Sequence, residues 1–405
     1  MKYSVTRRQA LRLLAGSAAA CLAVGLRPSL ALARDPFAEF DRMEREAFAS
    51  FDAQAKQAFE ELERKTQQAF ARVQARVAAA WGDSEVLLPA PKQWVGYDEQ
   101  AGGRIAADYD SGQVKLEVEA PPGVSDQELR AKLASFAERT LALRSEQLDQ
   151  LDPIRRDLGP AMAAPKVESP QVREAKSITR LMDDEQLRTG RLTQKIMHGR
   201  DFSKRQTSTA KGQKTIASVS VPMKKDHRKL SAEAILPFAR QYAKRFKMPV
   251  DLVLGVTECE SAFNPRAVSH VPAYGLMQLV PRSGGLDAYL FVYGERKILD
   301  TDYLFEPNQN VELGAAYLHL LYYRYLRKVQ NPQSRLYCAI AGYNTGAGNV
   351  AKAFGTRLGG LPSKISSYSP DQVFTKLKKD LPYEETRRYI VKVTKAMKRY
   401  EEFKA

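Results

Sequence analysis

The chain has 405 residues, 44% of them hydrophobic and 27% charged, and a formal net charge of +16. This composition excludes a disordered or fibrous polymer and provides apolar material for two or three domains with cores. A basic surface suits nucleic acid, anionic lipid or an acidic polymer alike, but no motif supports nucleic acid as a partner.

Residues 1–33 read as an address. Thr6-Arg7-Arg8-Gln9-Ala10-Leu11 is a twin-arginine pattern, followed by an apolar stretch over residues 13–26. That stretch is short of the roughly 20 residues a bilayer-spanning helix needs. Ala31-Leu32-Ala33 has the small-x-small form of a cleavage site, so the mature chain is expected to start at Arg34. The segment carries five positive charges and no acid, which leaves the remainder at +11. A rival reading makes Cys21 a lipidated residue, although Ala18-Ala19-Ala20 lacks the aliphatic residue usual three places before such a cysteine. The expectation is export to the periplasm or cell envelope, with peripheral or lipid-anchored membrane association as the alternative. After the cut only Cys259 and Cys338 remain. They are either a disulfide or two buried thiols, and two cysteines form no metal-ligand pattern.

Residues 34–83 carry a repeat. Phe37, Phe48, Phe59, Phe70 and Trp81 are spaced by eleven, and Phe40, Phe51, Leu62 and Val73 follow the same period. Eleven residues make three helical turns, so these side chains form one stripe along a long amphipathic helix. The stripe either packs on the domain that follows or serves self-association; contact with a membrane surface is a third use, disfavoured because the polar faces are not strongly cationic.

Residues 84–160 read as a small α+β module. Val114-Lys115-Leu116-Glu117-Val118-Glu119 alternates after a glycine-containing turn, which signals a hairpin. Ser125 and Glu128 form a capping box for a helix reaching about Leu151. Residues 161–224 mix prolines, basic residues and short helical patterns and read as a linker or packing region, with a strand-like run at Ala217-Ser218-Val219-Ser220-Val221. From 225 to 405 the pattern is helical. Ser231 is expected to cap one helix and Pro249 to open the next.

On that next helix Leu252, Val253, Val256, Cys259, Glu260 and Phe263 share a face. Glu260 is therefore a carboxylate at the end of an apolar stripe. Burial there would raise its pKa, as a general acid near neutral pH requires. Glu258 lies roughly 200° around the helix and reads as a surface residue. Taken alone, an acid on an apolar face is more often a satisfied structural residue than a catalytic one.

The ordered blocks that follow are more specific. Glu260-Ser261-Ala262-Phe263-Asn264-Pro265 precedes Ala267-Val268-Ser269 and Gly275-Leu276-Met277-Gln278. Leu304-Phe305-Glu306-Pro307, Asn310, Gly314 and Tyr317-Leu318 come next. Ala341-Gly342-Tyr343-Asn344-Thr345-Gly346-Ala347-Gly348 and Glu385-Thr386-Arg387-Arg388-Tyr389-Ile390 complete the series. Across about 180 residues these resemble the soluble-type (family 1) lytic transglycosylases, and the N-terminal part resembles, more loosely, the leader of membrane-bound members.

The resemblance implies a mainly α protein: a lysozyme-like catalytic domain preceded by a long helix and a small α+β module. It also implies peptidoglycan glycan strands as substrate, cleaved between N-acetylmuramic acid and N-acetylglucosamine to a 1,6-anhydro end, with no metal or cofactor. Glu260 matches the catalytic acid. Ser269, Met277, Gln278, Tyr343, Asn344 and Tyr389 match substrate-contacting positions, each with a plain alternative as turn, core or surface residue. Gly342 departs from the family's usual alanine, and Cys259 directly precedes the acid. A Cys259–Cys338 bridge would tie the acid's helix to the one before Tyr343. The competing functions are a goose-type lysozyme that hydrolyses the same bond with water, and a non-catalytic peptidoglycan-binding scaffold.

Overall fold

From Phe40 to Trp81 the eleven-residue stripe lies on one helix, α1 (Ala38–Trp81), in a computed structural model. The structure describes residues 38–99, 102–159, 169–182 and 190–404, with α1 side chains from Lys56 onward. The export signal with Arg7, Arg8, Cys21 and Ala31-Leu32-Ala33 lies outside the described residues, as do Phe37 and the side chains of Phe40, Phe48 and Phe51. Two compact units divide the chain, Met1–Ala53 and Gln54–Ala405. In the second, Phe70, Val73, Val77 and Trp81 are buried and Leu62 is packed against the same core. The stripe therefore packs inward here, and each buried side chain removes apolar surface worth about 1.5–3 kcal/mol. Arg72 and Arg76, on the polar side, pair with Asp157 at 2.9 and 2.7 Å. Among the described residues no helix is long and apolar enough to cross a membrane.

A five-stranded antiparallel sheet follows, in the order β1-β2-β3-β5-β4. Its strands are β1 (Gln93–Asp98), β2 (Gly103–Asp108), β3 (Gln113–Ala120), β4 (Phe202–Thr209) and β5 (Gly212–Pro222). The last two come from the stretch read as a linker, and the strand-like run Ala217-Ser218-Val219-Ser220-Val221 falls within β5. Polar residues hid β4: it is Phe-Ser-Lys-Arg-Gln-Thr-Ser-Thr, an edge strand with one buried residue.

Alternation sends Trp94, Ile105, Val114, Leu116, Val118, Val219 and Val221 to one face. That face is covered by α2 (Asp126–Leu141), whose Ser125–Glu128 capping box is present. α2 ends at Leu141, and a separate helix α3 (Ser145–Leu151) completes the stretch expected to be continuous. The opposite face meets α1. There Glu117, which alternation alone would give to solvent, is fully buried and paired with Arg104, whose guanidinium also lies 4.5 Å over Trp81.

A short helix α4 (Pro170–Lys176) leads towards the helices of the C-terminal part. The first of these, α5 (His227–Phe246), starts four residues before Ser231, which is buried within it. Tertiary anchors extend the start: His227 Nε2 lies 3.2 Å from Tyr109 O, and Arg228 Nη2 donates to Asp110 O at 2.6 Å. Next comes α6 (Val250–Ser261), with Pro249 at its N-cap.

Residues 251–258 of α6 are buried without a break, so this is a central helix rather than an amphipathic surface one. That overturns the surface reading of Glu258. The residue is 5% exposed, and its carboxylate accepts from the Tyr400 hydroxyl at 2.7 Å and pairs with Arg399 and Arg228. α6 packs against α5, α7 (Pro307–His319) and α9 (Glu384–Arg399), and α8 (Pro332–Thr345) packs in turn on α9. Cys259 and Cys338 are free thiols, and burial pushes both up to about 12.

Candidate active site

Glu260 sits in the last turn of α6, where the helix leaves the core and the carboxyl reaches a partly open surface. The residue keeps some exposure, while protein crowds its carboxyl on most sides. Burial pushes its pKa up to about 7. The Tyr389 hydroxyl donates to Glu260 Oε1 at 2.6 Å and opposes that rise; the Glu385 charge adds to it and the Lys92 charge subtracts. Tyr389 comes from α9, which packs along α6 because Gly255 lets the helices close: a Cβ there would lie 3.2 Å from the Met397 backbone. Burial and the neighbouring Glu260 hold the Tyr389 and Tyr343 hydroxyls well above their ordinary pKa, so both remain donors.

After Ser261 the chain turns through two left-handed residues, Ala262 (φ 50°) and Phe263 (φ 65°). Such conformations cost energy outside glycine and gather at functional sites. The loop that follows is clamped to the helix end. Ser261 Oγ, fully buried, donates to Leu276 O at 2.7 Å. Asn310 is the second clamp: its Oδ1 accepts from Met277 N at 2.8 Å, and its Nδ2 donates to Tyr274 O and Leu304 O at 2.9 and 2.7 Å. Gly275 (φ 73°) is required beside it, since a Cβ would stand 2.3 Å from Leu304 O. The Tyr343 hydroxyl donates to Met277 O at 2.8 Å and ties α8 to the same loop. Among the described residues no three His, Cys, Asp or Glu side chains gather to hold a metal ion.

Most of this geometry lies in a recognisable domain: the transglycosylase SLT domain matches residues 237–362, which hold Glu260, the clamped loop and Tyr343, while Tyr389 stands beyond its end. Similarity extends well beyond it. A membrane-bound lytic murein transglycosylase C of Actinobacillus pleuropneumoniae serotype 5b (strain L20) is 32% identical over 330 residues, covering 79% of this chain and 83% of that protein. Its counterpart in Yersinia pestis (strain Pestoides F) is 32% identical over 326 residues, covering 80% and 86%. The chain belongs to the lytic murein transglycosylases. Among solved structures, the 70 kDa soluble lytic transglycosylase of Escherichia coli overlaps 44% of this chain and 28% of its own, at 20% identity and a TM-score of 0.32.

In this transglycosylase the residues singled out from sequence take different places. Tyr389 and Glu260 are bonded, and Tyr343 lies within electrostatic reach of both. Asn344 Oδ1 accepts from Thr386 Oγ1 at 2.6 Å, which orients the amide. Ser269 is half-buried, and its hydroxyl donates to Val271 O within its own turn rather than to Glu260. Gln278, at φ 46°, turns its Nε2 back on Ala267 O and Gly275 O at 3.2 and 3.0 Å. Met277 is fully buried with its Sδ against Gly314, so its side chain is core while its backbone carries the clamps. Sequence reading missed Lys92, whose charge reaches Glu260 from the leader module and which carries no local signal, and gave Thr386 no role although it stands in the block from Glu385 to Ile390. It also missed Glu385 as an influence on the acid, although Glu385 stands one helical turn before Tyr389.

Proposed function

We propose that Glu260 acts first as acid and then as base in cleaving the N-acetylmuramic acid–N-acetylglucosamine bond of peptidoglycan. The observation that carries this is a carboxyl with a pKa near 7, bonded by one tyrosine hydroxyl. A protonated Glu260 gives its proton to the glycosidic oxygen as the C1–O4 bond breaks. The resulting carboxylate then takes the proton from the sugar's own C6 hydroxyl as that oxygen bonds C1. The proton returns to Glu260, the leaving sugar gains a hydroxyl, and the product ends in a 1,6-anhydro ring with no water consumed. Tyr389 stabilises the carboxylate between the two transfers.

On the family resemblance we assign Asn344, Ser269 and Gln278 to the sugar acetamides. Tyr343 supports the loop through Met277 O and presents its ring beside Tyr317, 5.4 Å between centroids. Two-carboxylate glycosidases use a second acid to activate water or to attack the sugar. The carboxylate in electrostatic reach of Glu260 is Glu385, which is exposed.

Mass analysis of digested sacculi tests the reading. Glu260→Gln should abolish glycan release while binding persists, and Glu385→Gln should still yield anhydro ends. Products heavier by one water, from either the natural chain or Glu385→Gln, would overturn it. The relatives' membrane-bound names and the twin-arginine pattern support work in the cell envelope; the mass of the mature chain reads whether it starts at Arg34 or carries lipid on Cys21.

A further inference from the structure

The loop between Glu260 and Gln278 is held from outside the catalytic helices at four points. Arg266 is the deepest. Its side chain is fully buried, with Nε on Asp149 Oδ1, Nη1 donating to Lys176 O at 2.8 Å and Nη2 to Ser145 O at 3.1 Å. The guanidinium lies 5.4 Å over the Trp94 ring. These partners come from α3, α4 and β1, all in the leader region. Asp149 is itself gripped by Arg155 at 2.6 Å. Two residues earlier, Asn264 Nδ2 donates to Pro91 O at 3.1 Å. Further along, the His270 ring lies 4.0 Å from Phe70 and the Tyr274 hydroxyl lies 2.8 Å from Thr66 Oγ1, both partners being on α1.

A buried guanidinium is stable only while its donors are matched, because an unmatched one retains the full cost of leaving water. The planar fork also fixes direction, which a lysine ammonium cannot do. The loop so held begins with the two left-handed residues and carries Ser269 and Gln278, so its shape is not set by its own sequence alone. We propose that Arg266 is a positioning residue: through Asp149 and the leader region it sets the geometry of the 262–279 loop for glycan cleavage. The leader is thus part of the machinery that holds the site in working form. This rests on the transglycosylase reading of Glu260, and the anhydro product of the natural chain checks that reading separately.

The test uses Arg266→Lys and Asp149→Asn in the full chain, with Thr66→Val and Phe70→Leu as milder variants that leave the buried charges intact. Glycan cleavage is measured well below each variant's melting midpoint, alongside amide hydrogen exchange. We expect Arg266→Lys to lower kcat by about tenfold or more, since small misplacements of reacting groups are that costly, with KM changed by less than about threefold. Exchange should quicken over 262–279 and stay unchanged in α7 and α8. Thr66→Val and Phe70→Leu should lower kcat in the same direction by about two- to fivefold. Folded variants with natural kcat, or losses that disappear on cooling further below the melting midpoint, would show that the clamp serves stability alone and overturn the proposal.

Discussion

The chemistry at Glu260 is a balance between burial, which raises its pKa, and the Tyr389 hydroxyl, which lowers it. Burial is the larger effect, leaving the acid near 7, where a general acid can be protonated before cleavage and ionised after it. Removing the hydroxyl removes the opposition. Tyr389→Phe should therefore raise the Glu260 pKa above 7, and the basic limb of the activity profile should move to higher pH. A hydrogen bond to a charged group is worth about 1.5–3 kcal/mol, which corresponds to a displacement of about one to two pH units. The rate at the optimum should also fall, because the same hydroxyl holds the carboxylate in place. Initial rates of muropeptide release from pH 5 to 9 read both effects; a basic limb that stays put or moves to lower pH would mean that Tyr389 does not tune the acid.

Between elements, the closest fit near the site is α7 against the loop. A Cβ on Gly314 would lie 2.2 Å from Met277 Sδ and 2.9 Å from its Cβ, and Met277 is fully buried with no space to retreat. Gly314→Ala should push Met277 and strain the Asn310 and Tyr343 bonds to its backbone. Overpacking of this kind costs about 1–3 kcal/mol, and we expect a lower melting midpoint together with a loss of glycan cleavage; calorimetry and turnover on the same sample check it. The sequence placed Met277 and Gly314 in separate blocks of one ordered series and did not show that they touch. Long periodic patterns were legible: the α1 stripe, the β3 alternation and the Ser125 capping box all report local geometry. What escaped depends on partners distant in sequence. The polar strand β4 is ordered by β5, the start of α5 by Tyr109 and Asp110, and buried Glu258 by Arg399 and Arg228. Helical phase separated Glu258 from Glu260 correctly, but phase cannot say what stands on the other side.

At the scale of the whole molecule, stability and function pull on pH in opposite directions. Asp149, gripped by Arg266, Arg155 and Lys176, has its pKa lowered from 3.8 to about 2 despite its burial. A depressed carboxylate contributes stability that is present above its unfolded value and lost as pH falls through the folded one. Here the contribution is about 2 kcal/mol, disappearing between pH 4 and 2. Glu260 runs the other way. Its folded pKa of about 7 exceeds the ordinary 4.5, so the native state favours the protonated form. It costs nothing below 4.5, and the penalty grows as pH rises through 7, reaching about 3 kcal/mol. A glutamine can still accept from Tyr389 but never ionises. Glu260→Gln should therefore match the natural chain in urea midpoint near pH 4 and exceed it near pH 8, while we expect no glycan cleavage at either. Such a gain is expected where a site keeps a strained or desolvated group for chemistry. Urea titrations of the two proteins at pH 4, 6 and 8 decide the matter. Equal midpoints throughout would mean that Glu260 ionises as freely in the folded protein as in the unfolded chain, and an ordinary exposed carboxylate could not serve as the acid near neutral pH.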